Sequence, residues 1–168
     1  YDFKLVSKEN SGIASSFNLA LKKYLTGEFF TFCPSDDFWS PEKLSKQVNF
    51  LNKYKNIGMV YSKAYAVDNK NIVLKHKTNQ INKGLKGGNI FKNIFLQEFH
   101  PPVNYMFRRT IFERIGFYDE GLWAEDFDMN LRISYEYKVG FIDEYLSYYR
   151  VDIGANKNLT FKTIFSHK

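Results

Sequence analysis

A chain of 168 residues has room for one domain with a real hydrophobic core and hardly for two. With 44% hydrophobic and 18% aromatic residues it is far from a disordered composition, and one cysteine, Cys33, excludes both a disulfide framework and a cysteine-based zinc site. The formal charge of +6 suits an anionic partner such as a nucleotide diphosphate, but the lysines are scattered, so a Lys-rich solvated surface is favoured over a nucleic-acid patch.

Tyr1 to Val6 alternates weakly, as a short strand would. Asn10 or Ser11 then caps a helix that reaches about Leu25, with Ile13, Phe17, Ala20, Leu21 and Tyr24 at helical spacing and Gly27 as its stop. Glu28 to Cys33 is too short for a helix and aromatic enough for a buried strand. Cys33, inside this apolar run, is expected to be buried. Pro34-Ser35-Asp36-Asp37 is turn chemistry, and Ser40-Pro41 opens a helix with Leu44, Val48, Leu51 and Tyr54 as its inner stripe.

Gly58 to Val67 reads as the next strand. Asp68 to Gly88, rich in Lys and Asn, is expected to form a mobile loop or a loose hairpin around Asp68-Asn69. A short helix over Asn89–Leu96 and a strand over Val103–Phe107 follow, then a helix from Thr110 to Gly116. An aromatic loop from Phe117 leads to a helix over Glu125–Tyr137, and Val139–Tyr149 is the final strand. The tail, 151–168, has little pattern until Phe161, Ile164 and Phe165, which suit a docked helix or a membrane-facing foot. Alternating strands and helices predict an α/β layer fold, with residues 1–150 as the domain.

Two acidic clusters could carry chemistry. Asp36 and Asp37 follow a buried strand, and ligands of open α/β sheets bind beyond the carboxyl ends of strands. Adjacent carboxylates repel unless a positive group lies beside them, which a divalent cation clamping a diphosphate would supply. An Asx-type turn capping the next helix accounts for the same residues. Glu125, Asp126 and Asp128 open a helix, where carboxylates are favoured in any case, and Asp128 with Arg132 is an i,i+4 pair. The loop before them, Phe117 to Trp123, could fold over a sugar with Trp123 stacked on its apolar face, while a carboxylate alongside takes a hydroxyl proton. His100, ahead of Pro101-Pro102, could line such a cleft or be an ordinary loop residue. His76 and His167 have no candidate metal ligand near them in sequence.

Taken together and in order, Asn10-Ser11-Gly12, Asn18, Gly27-Glu28, Ser35-Asp36-Asp37, Pro41, Gly116 to Glu120, Glu125 to Asp128 and Leu131-Arg132 resemble the family 2 glycosyltransferases of the GT-A fold, from Asn10 to about Arg150. The resemblance implies a GT-A-type, Rossmann-like mixed sheet flanked by helices. It also implies transfer of a hexose, with inversion, from a nucleoside-diphosphate sugar to a hydroxyl of a glycan or lipid-linked glycan. Asp36, matched to the last Asp of the family's D-x-D, would bind Mn2+ or Mg2+, with Asp37 supporting it or touching the sugar. Asp126, preceded by Glu125 in the family's E-D motif, would be the general base. Arg132 would brace that helix or a neighbouring phosphate.

The sequence departs from the family at Pro34, where the leading Asp of D-x-D usually stands. It departs again after Tyr149-Arg150, where Asp152 occupies the place of a late His: either Asp152 serves as metal ligand in its stead, or that ligand is absent. The family's opening strand and base-reading acidic residue have no counterpart. That predicts an incomplete domain whose missing part lies upstream of Tyr1. A non-catalytic carbohydrate-binding module derived from the same fold is the alternative these departures leave open. The single cysteine and the lack of an apolar run of ~20 residues predict a cytoplasmic protein, at most in peripheral contact with the inner face of a membrane through its basic, aromatic tail.

Overall fold

The computed structural model describes residues 3–151. Five strands form one mixed sheet: β1 (Phe29–Thr31), β2 (Phe38–Trp39), β3 (Ile57–Val67), β4 (Met106–Arg108) and β5 (Lys138–Arg150), in the order β1-β4-β3-β5-β2. β3 and β5 run parallel through the centre, while the β1–β4, β4–β3 and β5–β2 pairs are antiparallel. β1, β3 and β5 therefore point their carboxyl ends the same way. The segment that enters β4 comes to that end as well.

The period-two alternation of the strands sorts their side chains between two layers. Met59 and Tyr61 of β3, Phe107 of β4 and Val139 of β5 face the larger core. It is closed by α1 (Ile13–Lys23), α4 (Phe91–Phe95), α5 (Ile111–Ile115) and α6 (Glu125–Glu136), through Leu21, Ile94, Phe112, Met129 and Ile133. Val60 and Met106 point to the opposite face, where Leu51 of α2 (Lys43–Lys53) covers them. The result is an α/β layer fold with helices on both faces of a mixed sheet. Among the described residues, no helix is long and apolar enough to cross a membrane.

Several expectations are corrected. Residues 3–12 form no strand: they pair with no strand of the sheet, and Phe3 and Leu5 are exposed. Helix α1 ends at Lys23, ahead of Gly27. In α2, Leu51 is buried and Val48 packs beside it as expected, but Leu44 and Tyr54 are exposed and the remaining buried positions are Lys43 and Gln47. Burying a lysine and a glutamine is costly unless both are satisfied. Here Lys43 Nζ donates to Gln47 Oε1 at 2.8 Å, and Gln47 Nε2 donates to the Asn104 carbonyl at 2.8 Å.

The polar segment after β3 contains a helix, α3 (Lys75–Ile81), which the sequence reading did not anticipate. β4 pairs with β3 only at Met59 and Val60, so one edge of β3 is left open beyond that point. Polar side chains complete it. Asn104 bonds the N–H of Ser62 and its carbonyl, Asn82 does the same for Ala64, and Thr78 Oγ1 accepts from the Ala66 N–H. Hydrogen bonding, rather than apolar periodicity, fixes this stretch. The turn at Asp68–Asn71, closed by a Val67–Val73 bridge, is the hairpin part of the expectation.

Candidate functional site

The turn after β1 is built at the carboxyl end of the sheet. Its backbone closes with the Asp37 N–H donating to the Pro34 carbonyl at 3.2 Å. At the end of β5, the Arg150 N–H donates to Asp37 Oδ1 at 2.8 Å and Arg150 Nε donates to the Asp36 carbonyl at 2.9 Å. The same guanidinium reaches the Asp68 carbonyl, and Asn71 Oδ1 at 2.6 Å. One arginine thus ties the acidic turn, the hairpin after β3 and the last strand together. Partial burial raises the Asp37 carboxyl above its usual range, the Arg150 N–H opposes this, and Asp36 adds to it. Asp36 itself is exposed.

Beside this turn an open cleft of about 950 Å³ runs between α3, the segment entering β4 and the start of α6. Asp126, Trp123 and His100 all line it, together with Phe127, Asn130 and Tyr149. Trp123 projects from the loop before α6 and is 67% exposed. The His100 ring meets Phe127 edge-on at 5.5 Å. Burial lowers its pKa, against the pull of the neighbouring Asp126 carboxylate. Glu125 is not part of the lining, and burial, with Asp126 adding to it, raises its carboxyl.

Tyr149 links the two acidic motifs. It is on β5 one residue before Arg150 and lines the cleft. Burial raises its phenol pKa, and Asp37, Asp36 and Asp126 each raise it further. Its hydroxyl therefore stands in the field of both acidic clusters, which lie ninety residues apart in sequence.

Arg132 points away from the cleft. Its guanidinium donates to Asp128 Oδ2 at 2.9 Å, to the Ile115 carbonyl at 2.6 Å and to the Phe117 carbonyl at 3.1 Å, holding α6 to the start of the aromatic loop. Asn18 of α1 holds the same loop from the other side, exchanging hydrogen bonds with the Tyr118 backbone and donating to Glu120 Oε1 at 2.8 Å. Cys33 is exposed rather than buried, because β1 ends at Thr31 and the thiol sits on the lip of the acidic turn. Asp152 lies outside the described residues.

Sequence reasoning missed Arg150 as a clamp, Tyr149 as the link and Lys43 beneath the turn. Lys43 Nζ lies 4.0 Å from the centre of the Trp39 ring and donates to Thr31 Oγ1 at 3.3 Å. Its burial, without a carboxylate bonded to it, depresses its pKa to about 7. Position in a Tyr-Arg pair was the available signal for the first two. For Lys43 there was none, since a lysine at a helix start reads as solvated. Among the described residues, no three of His, Cys, Asp and Glu gather closely enough to hold a metal by themselves.

The fold has counterparts among solved proteins. TarS of S. aureus superposes with a TM-score of 0.61 at 19% identity, over 84% of this chain and 41% of that one. The mannosyltransferase PcManGT of Pyrobaculum calidifontis, solved with GDP-Man and Mn2+, superposes at 0.53 with 18% identity, over 89% of this chain and 38% of that one. Both comparisons establish the GT-A type of fold. In sequence, an uncharacterized glycosyltransferase of Methanocaldococcus jannaschii is 25% identical over 147 residues, 86% of this chain and 49% of that protein. The chain thus spans about half the length of that relative. The model of the family described as glycosyltransferase like family 2 matches residues 4–164, nearly the whole chain, and the chain belongs to that family.

Proposed function

We propose that this chain supplies the acceptor side and part of the donor side of an inverting glycosyltransferase that uses a nucleoside-diphosphate sugar. Residues 1–150 are its catalytic portion in this reading, and the acceptor is a hydroxyl of a glycan or lipid-linked glycan. What supports it is the cleft at the carboxyl end of the sheet, which Asp126 and Tyr149 both line, with Tyr149 next in sequence to the arginine that clamps the Asp36-Asp37 turn.

Asp126 accepts the proton of the attacking hydroxyl as that oxygen approaches the anomeric carbon, and a single displacement inverts the configuration. Trp123, exposed at the rim, offers an aromatic face to the acceptor sugar. His100, held toward its neutral form by burial, can donate or accept one hydrogen bond beside the base. Asp36 is the exposed oxygen donor of the acidic turn, and Arg150 holds the backbone of that turn. The donor set fits a hard cation that takes one or two carboxylates from protein and the rest of its ligands from phosphate and water. Mn2+ or Mg2+ held by Asp36 would neutralise charge on the departing diphosphate.

The test is transfer from UDP- and GDP-hexoses, with Mn2+ present, to glycan and glycolipid hydroxyls. Asp126→Asn is expected to lower kcat by about a thousandfold or more, within the range that general-base catalysis and its loss of charge span together. Its nucleotide affinity is expected to stay unchanged. Turnover that survives the substitution would assign the base elsewhere.

A further inference from the structure

The cleft has a polar floor that the mechanism above does not use. Asn130 lies one helical turn after Asp126 on α6, so the two side chains share a face, and both line the cleft. Asn130 is 3% exposed, and its Oδ1 completes no hydrogen bond. Tyr105, behind it in the core, is 2% exposed, and its hydroxyl is likewise without a bond of good geometry, although the amide lies alongside. Buried polar atoms are nearly always paired, because water bonded to them has been given up. The neighbouring positions Met129 and Ile133 fill the core with apolar side chains, so helix packing alone does not call for an amide at 130.

An amide both donates and accepts, and so does a phenol. The group complementary to such a pair is one that does both in turn, and a sugar hydroxyl is such a group. A carboxylate or phosphate would not suit it: both only accept, and Asp126 and Glu125 already place negative charge here. We propose that Asn130, backed by Tyr105, binds a hydroxyl of the acceptor sugar next to the one presented to Asp126, and so selects among acceptors. The inference rests on the proposed function for the identity of the bound sugar.

The experiment is an NMR titration of the full chain, saturated with UDP or GDP and Mn2+, with the methyl glycosides of glucose, galactose, mannose and N-acetylglucosamine. The side-chain amide of Asn130 is assigned by its loss in Asn130→Asp. The expected result is that this amide shifts with at least one hexoside. Asn130→Leu then weakens that hexoside at least fivefold, leaves nucleotide affinity unchanged and does not lower Tm. Tyr105→Phe, which removes a single oxygen, weakens the same hexoside and keeps the inference testable if the leucine variant does not fold.

A hexoside that binds equally well to Asn130→Leu, or a complete lack of hexoside binding to a chain that binds nucleotide, overturns the inference alone. A lower Tm in both variants with hexoside affinity intact assigns the pair a structural role and also overturns it. Failure of nucleotide binding is a separate result, and it strikes the proposed function instead.

Discussion

Asn18 and Tyr118, a hundred residues apart, are joined by two hydrogen bonds: Asn18 Nδ2 donates to the Tyr118 carbonyl at 2.8 Å, and the Tyr118 N–H donates to Asn18 Oδ1 at 2.9 Å. The amide acts as a strand would, satisfying both backbone groups of one residue. It thereby fixes the loop that carries Trp123 to helix α1. Asn18→Ala leaves the buried Tyr118 N–H and carbonyl unpaired, and the expected cost is about 1–3 kcal/mol of stability. Denaturant unfolding checks the size, and Trp123 fluorescence reports the loosened loop.

Arg150 joins three segments at the edge of the acidic turn. Arg150→Gln keeps the backbone N–H bond to Asp37 and removes the side-chain bonds to Asp36, Asp68 and Asn71. Because the turn is then held at fewer points, metal-dependent nucleotide affinity is expected to fall about tenfold, near the 1.4 kcal/mol that one well-made hydrogen bond contributes. Calorimetric titration of UDP and GDP measures it. An unchanged Kd would show that the turn is positioned by its own backbone.

Lys43 gives a pH dependence with a defined sign. Its folded pKa is lowered from 10.5 to about 7 by burial, so between those values the unfolded chain holds a proton that the folded chain has released. Stability then rises with pH across that window, by at most about 1.4 kcal/mol per pH unit for one proton. Below pH 7 both states hold the proton and the slope vanishes. Unfolding free energies of the chain and of Lys43→Met at pH 7 and pH 9.5 are expected to shift in favour of the unmodified chain at the higher pH. Measured in a Cys33→Ser background, the comparison is free of the neighbouring thiol. A difference that does not move with pH would place the ammonium in contact with water.

Much of the fold was legible because it is written in apolar periodicity. The strand over Gly58–Val67, the helix over Glu125–Tyr137 and the strand over Val139–Tyr149 all lie within two residues of the observed β3, α6 and β5. What escaped is held by polar groups. Helix α3 has no apolar stripe, and Thr78 and the following Asn82 earn their places by bonding the open edge of β3. The buried polar positions of α2 have the same origin: Lys43 and Gln47 are buried in a polar chain that reaches Asn104, which hydropathy reads as solvated surface.

At the site, residue types and order pointed to Asp36, Asp126, Trp123 and His100, and the last three line one cleft. The clamp on the acidic turn was not legible, because Arg150 reaches Asp36, Asp37, Asp68 and Asn71 only once β5 is placed in the sheet. Arg132 was named from a motif. Its bonds to the Ile115 and Phe117 carbonyls can be seen only once the loop and helix are packed.

In the proposed function, the acidic turn and the Asp126 cleft form one nucleotide-sugar site. Calorimetric titration of UDP and GDP into the chain with Mn2+, repeated with EDTA and with Asp36→Ala, tests whether they do. A single site binds nucleotide in a way that EDTA abolishes and Asp36→Ala weakens by tenfold or more, while Asp126→Asn binds nucleotide as the unmodified chain does. Binding that is indifferent to both EDTA and Asp36→Ala, or no binding of either nucleotide, would separate the acidic turn from the nucleotide site.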